Sequence, residues 1–227
     1  MRKQPLVTGE YYHIYNRGVD KRDIFNDKED LSRFIESIKE FNQLDGVNSI
    51  RDLRKLKTES ESKALDKTKK PLVAFVGYCI NPNHFHFILK QLVDGGMAKF
   101  MQKLQGGYTY FFNAKNLRSG SLFQGTFKSN LINNDNYLRK IIAYVNKNYA
   151  VHTIPKEKQD LIFPGDKEYL NNQFQIISKK EGEGFLDMFG GIKGFEKHCN
   201  EIIEIIRKER GKPSLLEEDA LPLPDRV

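Results

Sequence analysis

Two histidines one residue apart, His84 and His86 in the stretch NPNHFHFILKQ, are the side chains in this sequence best suited to chemistry. In a β-strand alternate side chains share a face, so both imidazoles would project together while Phe85 and Phe87 point the other way. A pair so placed can share one divalent ion through its ring nitrogens. Two ligands do not complete a site, and the same alternation also describes two polar residues on an amphipathic strand. A third ligand is offered by DNYLRKIIAYVNKN, where Tyr144 and Asn148 stand four residues apart and fall on one face of a helix. The amide oxygen of Asn148 is a hard donor that suits Mg2+ or Mn2+. Tyr144 would lie one helical turn from that ion. A phenol, with an ordinary pKa of about 10, attacks only where its oxyanion is stabilised; a metal ion could polarise a phosphodiester and hold it in line. The plainer alternative is a helix aromatic packed on a sheet. His13 is a further candidate ligand by residue type.

A basic and aromatic series runs through the middle of the chain. Lys103, Tyr108, Arg118, Lys128, Arg139 and Lys140 belong to it, and Arg17 ends a short aromatic run. Cations neutralise phosphates and aromatic rings stack on unpaired bases, although the same residues also suit a solvated basic face. The whole chain, 227 residues with 37 Lys and Arg against 30 Asp and Glu, carries a formal charge of +7, which favours polyanionic partners.

Several elements must position these groups. YYHIYN from Tyr11 reads as a first strand, and residues 27–44 as a helix with Leu31, Phe34, Ile35, Ile38 and Phe41 in phase. Asp27 or Asp30 is placed to cap it. Residues 45–70, rich in Lys, Glu, Ser and Asp, read as an exposed excursion. PLVAFVGYCI and HFHFILKQ form two strands joined by the turn residues Asn81-Pro82-Asn83. A helix follows over 97–112, with Phe100, Met101, Leu104, Tyr108 and Phe111 on its buried side, then a strand before Ile132 and a helix over 135–148. The order β-α-β-β-α-β-α predicts an α+β fold: a ferredoxin-like, split βαβ antiparallel sheet with helices on one face and an added C-terminal helical region. Residues 1–152 would form the catalytic domain. Residues 153–227 would be a C-terminal extension, helical over 195–210 and ending in a tail with three prolines after residue 210.

Cys79 and Cys199 form no CxxC or zinc-knuckle spacing. No signal-peptide core or membrane-length apolar run is evident, so a cytoplasmic protein with no membrane partner is expected.

NPNHFHFIL (81–89) resembles the His-hydrophobic-His motif of the single-tyrosine HUH transposases. LFQGTFKS (122–129) is similar to the segment after their second helix, DNYLRKIIAYVNKN (135–148) to their nucleophile helix, and YYHIYNRGVDKRDIF (11–25) to their opening strand and turn. The resemblance spans roughly residues 8–152 and is strongest to the REP-associated, IS200-like branch of bacteria. It departs from the family in reading Asn148-Tyr149-Ala150-Val151 where relatives carry Asn-Pro-Val. It implies a metal-dependent enzyme that cleaves and rejoins single-stranded DNA beside a hairpin, at repetitive palindromic or element-end sequences. His84, His86 and Asn148 would be metal ligands, and Tyr144 the nucleophile forming a 5′-phosphotyrosine. It implies a monomer or a homodimer, working in the cytoplasm on the nucleoid. The alternative is a non-catalytic module for single-stranded or hairpin nucleic acid, derived from such an enzyme. That module would bind as sheet-based RNA-recognition domains do, with aromatics on the open sheet face.

Overall fold

The computed structural model describes residues 5–44 and 70–210. The charged excursion and the proline-bearing tail read from the sequence lie outside these, Lys70 and Arg210 marking the inner ends.

Strand β1 (Tyr11–Arg17) leads through a turn into helix α1 (Lys28–Phe41). The Asp27 carboxylate caps that helix by accepting from the Asp30 backbone N–H at 2.9 Å, satisfying one of the donors a helix start leaves open. Strands β2 (Val73–Asn81) and β3 (His84–Gln91) form a hairpin, followed by helix α2 (Gly96–Lys115), strand β4 (Lys128–Ile132) and helix α3 (Asp135–Asn146). A two-residue strand β5 (Phe163–Pro164) and helices α4 (Asp166–Leu170), α5 (Lys179–Met188) and α6 (Ile192–Arg210) complete the described chain. All paired strands are antiparallel, in the order β4-β1-β3-β2-β5. The first four strands have the ferredoxin-like order, and β5 extends the sheet at the β2 edge.

Helices α1 and α2 cover the face carrying Phe75, Phe85 and Phe87. Phe34 meets Phe85 and Phe100 meets Phe75, with ring centroids 5.7 Å apart in both pairs. The added C-terminal helices and α3 cover the opposite face. There Tyr11 donates to Glu181 of α5 at 2.6 Å, and Tyr144 of α3 lies against His86. Burial on both faces explains why β2 reads as a continuous apolar run instead of alternating.

Two close approaches fix the parts of the site. The β2–β3 turn is clamped by the loop after β1: the Pro82 carbonyl accepts from Ile24 and Phe25, and the Asn83 carbonyl from Gly18 at 2.8 Å. Helix α3 sits tightly on β2 because Gly77 and Gly165 leave room for Asn146. A Cβ at either glycine would lie 2.5 Å from the Asn146 amide. That amide oxygen accepts from the Tyr78 N–H, and its nitrogen donates to the Ile142 carbonyl. Gly77→Ala is therefore expected to lower unfolding free energy by about 1–3 kcal/mol through overpacking, as read from urea denaturation. An unchanged midpoint would show that α3 shifts away at no cost.

Candidate metal and tyrosine centre

The period-two alternation of three strands assembles the site. Arg17 pairs with His84 and Tyr15 with His86 across β1–β3, while Asn81 pairs with His84 and Cys79 with His86 across β2–β3. Residues directly opposite in an antiparallel pair share a face, so His13, Tyr15, Arg17, Asn81, His84 and His86 all project to the side covered by α3.

Each imidazole of the pair has a partner on its inner nitrogen. His84 Nδ1 lies 2.6 Å from the Asn83 side-chain oxygen, which can only accept, so Nδ1 carries the proton and Nε2 the lone pair. His86 Nδ1 lies 2.8 Å from His13 Nε2. Burial pushes the His13 pKa down to about 3, keeping that ring neutral across the physiological range. In the tautomer where His86 donates from Nδ1 to His13, His86 Nε2 also holds a lone pair. A partner on the second ring nitrogen is the usual way in which a ligating histidine is oriented.

The third candidate donor lies just past the end of α3. The helix ends at Asn146 and a 3-10 turn, Asn148–Val151, carries the chain on. Asn148 is fully buried, with Oδ1 3.0 Å from His84 Nε2. Asn81 Nδ2 donates to both of these atoms, at 2.8 Å to Asn148 and 2.9 Å to His84. Two acceptor atoms held 3.0 Å apart match the spacing, about 3.0 Å, of neighbouring ligands on an octahedral ion with metal–oxygen distances near 2.1 Å. Asn148 Nδ2 is buried without a hydrogen-bond partner among the described residues. Among the described residues no group of three His, Cys, Asp or Glu is placed to hold an ion. Two imidazoles and one amide oxygen are the candidate donors here, a combination that would fit a hard or borderline divalent cation.

Tyr144 completes the cluster. Its ring stands edge-on to His86, centroids 5.5 Å apart, and to His13 at 6.2 Å, and it is 1% exposed. Tyr15 lies over the same histidines from the other side, stacked on His13 at 4.8 Å and on His86 at 5.5 Å, with the Lys128 ammonium 5.6 Å from its ring centre. Tyr15, Arg17, His84, His86, Gln124 and Lys128 line a narrow cleft of about 10 Å³. That space suits one water or ion and nothing larger. Arg17 Nε is held there by Gln124 Oε1 at 2.6 Å.

The basic series is dispersed. Of the residues expected to contact nucleic acid, Arg17 and Lys128 line the cleft. Tyr108 must be corrected: it is fully buried on the inner face of α2 and its hydroxyl donates to the Ile24 carbonyl at 2.5 Å, so it stacks on no base. Lys103, on the same helix, is also turned from the cleft; it lies behind the sheet and reaches the Gln43 carbonyl at 3.4 Å. Arg118 folds back onto Asn113 and the Ser121 carbonyl. Arg139 lies over the Phe189 ring at 5.3 Å, toward the C-terminal helices, and Lys140 follows it on α3. Five participants escaped the sequence reading as site residues: Asn81, Asn83, Tyr15, Gln124 and His152, whose ring lies 4.9 Å from His84. The alternation of β1 carries a signal for Tyr15, in phase with His13.

The His13 contact gives a testable expectation. His13→Ala is expected to weaken Mn2+ binding by about 10–100-fold, measured by calorimetry, with His13→Gln recovering part of it through its amide acceptor. Equal affinity in all three proteins would reduce His13 to a space-filling ring.

Residues 53–148 match the model of the family described as IS200-like transposases. No curated protein matches the chain. A solved REP-associated tyrosine transposase bound to a REP hairpin is similar at 14% identity, covering 78% of this chain and 90% of its own, with a TM-score of 0.49. No helix among the described residues is long and apolar enough to cross a membrane. The stretch that carries both histidines, Tyr144 and Asn148 lies within the part of the chain that matches the IS200-like transposase family model.

Proposed function

We propose that this protein cleaves and rejoins single-stranded DNA beside a hairpin, with Tyr144 as the nucleophile. The observation that carries this is the Tyr144 ring packed 5.5 Å from His86 within a single chain, so that one copy supplies phenol and histidines together. His84, His86 and Asn148 would hold Mg2+ or Mn2+, which when bound draws charge from the scissile phosphate.

The protein's own groups do the rest. Asn83 and His13 set the two imidazole tautomers, and Asn81 holds the Asn148 oxygen toward His84. Arg17 and Lys128, at the mouth, receive the phosphates on either side. Tyr15, half-buried with one face toward the cleft, offers a stacking surface for an unpaired base. The Tyr144 oxygen attacks phosphorus as its proton departs; the P–O3′ bond breaks and the leaving oxygen is protonated to a 3′-hydroxyl. The 5′-phosphate stays on tyrosine until a second 3′-hydroxyl reverses the step. Residues 1–152 would form this catalytic unit, with the remainder buttressing α3.

Because the 5′ end stays on the protein, the label belongs on the 3′ end of the DNA. A 3′-labelled hairpin with single-stranded flanks and Mn2+ should give a labelled protein that survives denaturation, and fully duplex DNA should not. The 1% exposure of Tyr144 favours one alternative, a hairpin-binding module without chemistry. Tight hairpin binding with no adduct would select it.

A further inference from the structure

A second depression opens beside the centre, on the far side of His152. It has a volume of about 360 Å³ and lies between the Asn148–Val151 turn and β5. That places it at the small end of ligand cavities, which span about 300–1,000 Å³. Ile154, Ile162 and Pro164 give it apolar walls, and the Tyr149 ring adds a flat aromatic one. The Tyr149 hydroxyl is tied to Asp166 Oδ2 at 3.2 Å, which fixes the plane of that ring. Polar groups contribute about as much of the lining as apolar ones: the exposed Gln159 amide, with both donor and acceptor, the exposed Lys167 ammonium and the His152 ring. His152 lines the depression and also stands 4.9 Å from His84, so it is a wall shared with the metal and tyrosine centre.

We propose that this depression is a nucleobase pocket, taking one unpaired base of the strand next to the phosphate held at His84 and His86. The proposal rests on the single-stranded DNA reading above. An aromatic wall beside apolar side chains is an environment that receives an unstacked base, and the Gln159 amide in the same lining matches the adjacent donor and acceptor of a base edge, which a phosphate does not present. Lys167 is positioned for the adjoining phosphate. The pocket thus supplies sequence preference at one position, while Arg17 and Lys128 on the other side of the histidines supply none.

The test uses the full-length 15N-labelled protein without metal, titrated with each of the four deoxynucleoside 5′-monophosphates and with 2-deoxyribose 5-phosphate. At least one nucleotide should shift the amide signals of Tyr149, Ile154, Gln159 and Lys167 saturably, and the base-free sugar phosphate should not. Gln159→Leu should weaken that nucleotide at least about fivefold, as loss of one base-edge contact does, and alter the ranking of the four. Ile162→Trp, which fills the slot, should abolish the shifts while its remaining spectrum stays folded. Equal shifts from the sugar phosphate, no saturable response to any nucleotide, or unchanged binding by the folded Ile162→Trp protein would each overturn the pocket. None of these readouts involves strand cleavage, so a failed adduct assay and a failed pocket are told apart.

Discussion

Tyr144→Phe is expected to abolish covalent capture of DNA, by roughly 10³-fold or more, as removal of an attacking group commonly does. Binding of the same hairpin should change little. The substitution is clean because the ring is 1% exposed and its contacts with His86 and His13 are made by the ring faces and edges that phenylalanine retains. Loss of the hydroxyl should cost on the order of 1 kcal/mol of stability, too little to unfold the protein. Tyr15→Phe is the necessary companion, because Tyr15 stacks on His86 from the cleft side and is the more exposed of the two phenols. It should keep adduct formation at near the parent level. A reversed outcome, with capture lost in Tyr15→Phe and kept in Tyr144→Phe, would move the nucleophile from helix α3 to strand β1.

The second large effect concerns the ligands. His84→Ala or His86→Ala should each lower cleavage by about 10²–10³-fold, the scale set by several kcal/mol of lost charge stabilisation, and should abolish Mn2+ binding measured separately. Asn148 discriminates further. Asn148→Asp replaces a neutral oxygen donor by a charged one beside His84 Nε2, and should tighten divalent-ion binding by about tenfold. Asn148→Leu should remove it. If Asn148→Asp binds Mn2+ more weakly than the parent, Asn148 is a structural partner of Asn81 and His84, and the third ligand must be sought elsewhere.

The sheet and its central hairpin were legible because each signal was local. Asp27 precedes an in-phase apolar run, and Asn81-Pro82-Asn83 separates two strands whose lengths leave a two-residue turn. The His-x-His alternation by itself aims both imidazoles to one face. Tyr108 shows where locality fails: it is in phase with Phe100 and Leu104 on α2, which marks it as core, yet its type and basic neighbours suggested DNA contact. The period was the better guide, since four-residue spacing reports the buried stripe whatever the side chain. Asn83 and His13 could not be recognised as orienting partners, because their roles depend on contacts across a turn and between strands. Strand β5 has only two residues, and α5 carries Gly182 and Gly184 among charges, so neither has a period long enough to read. Both are made by packing, β5 against the edge of β2 and α5 through Gly182 beneath the Phe174 ring.

Mapping the covalent bond tests the account most directly. The adduct formed on a 3′-labelled hairpin substrate would be digested with nuclease and protease, and the nucleotide-bearing peptide sequenced by mass spectrometry. The expected result is a 5′-nucleotide on Tyr144 within the peptide spanning IIAYVNK, present with Mn2+ and absent after chelation. A nucleotide on any other residue would contradict the account, as would hairpin-bound, metal-loaded protein that carries none.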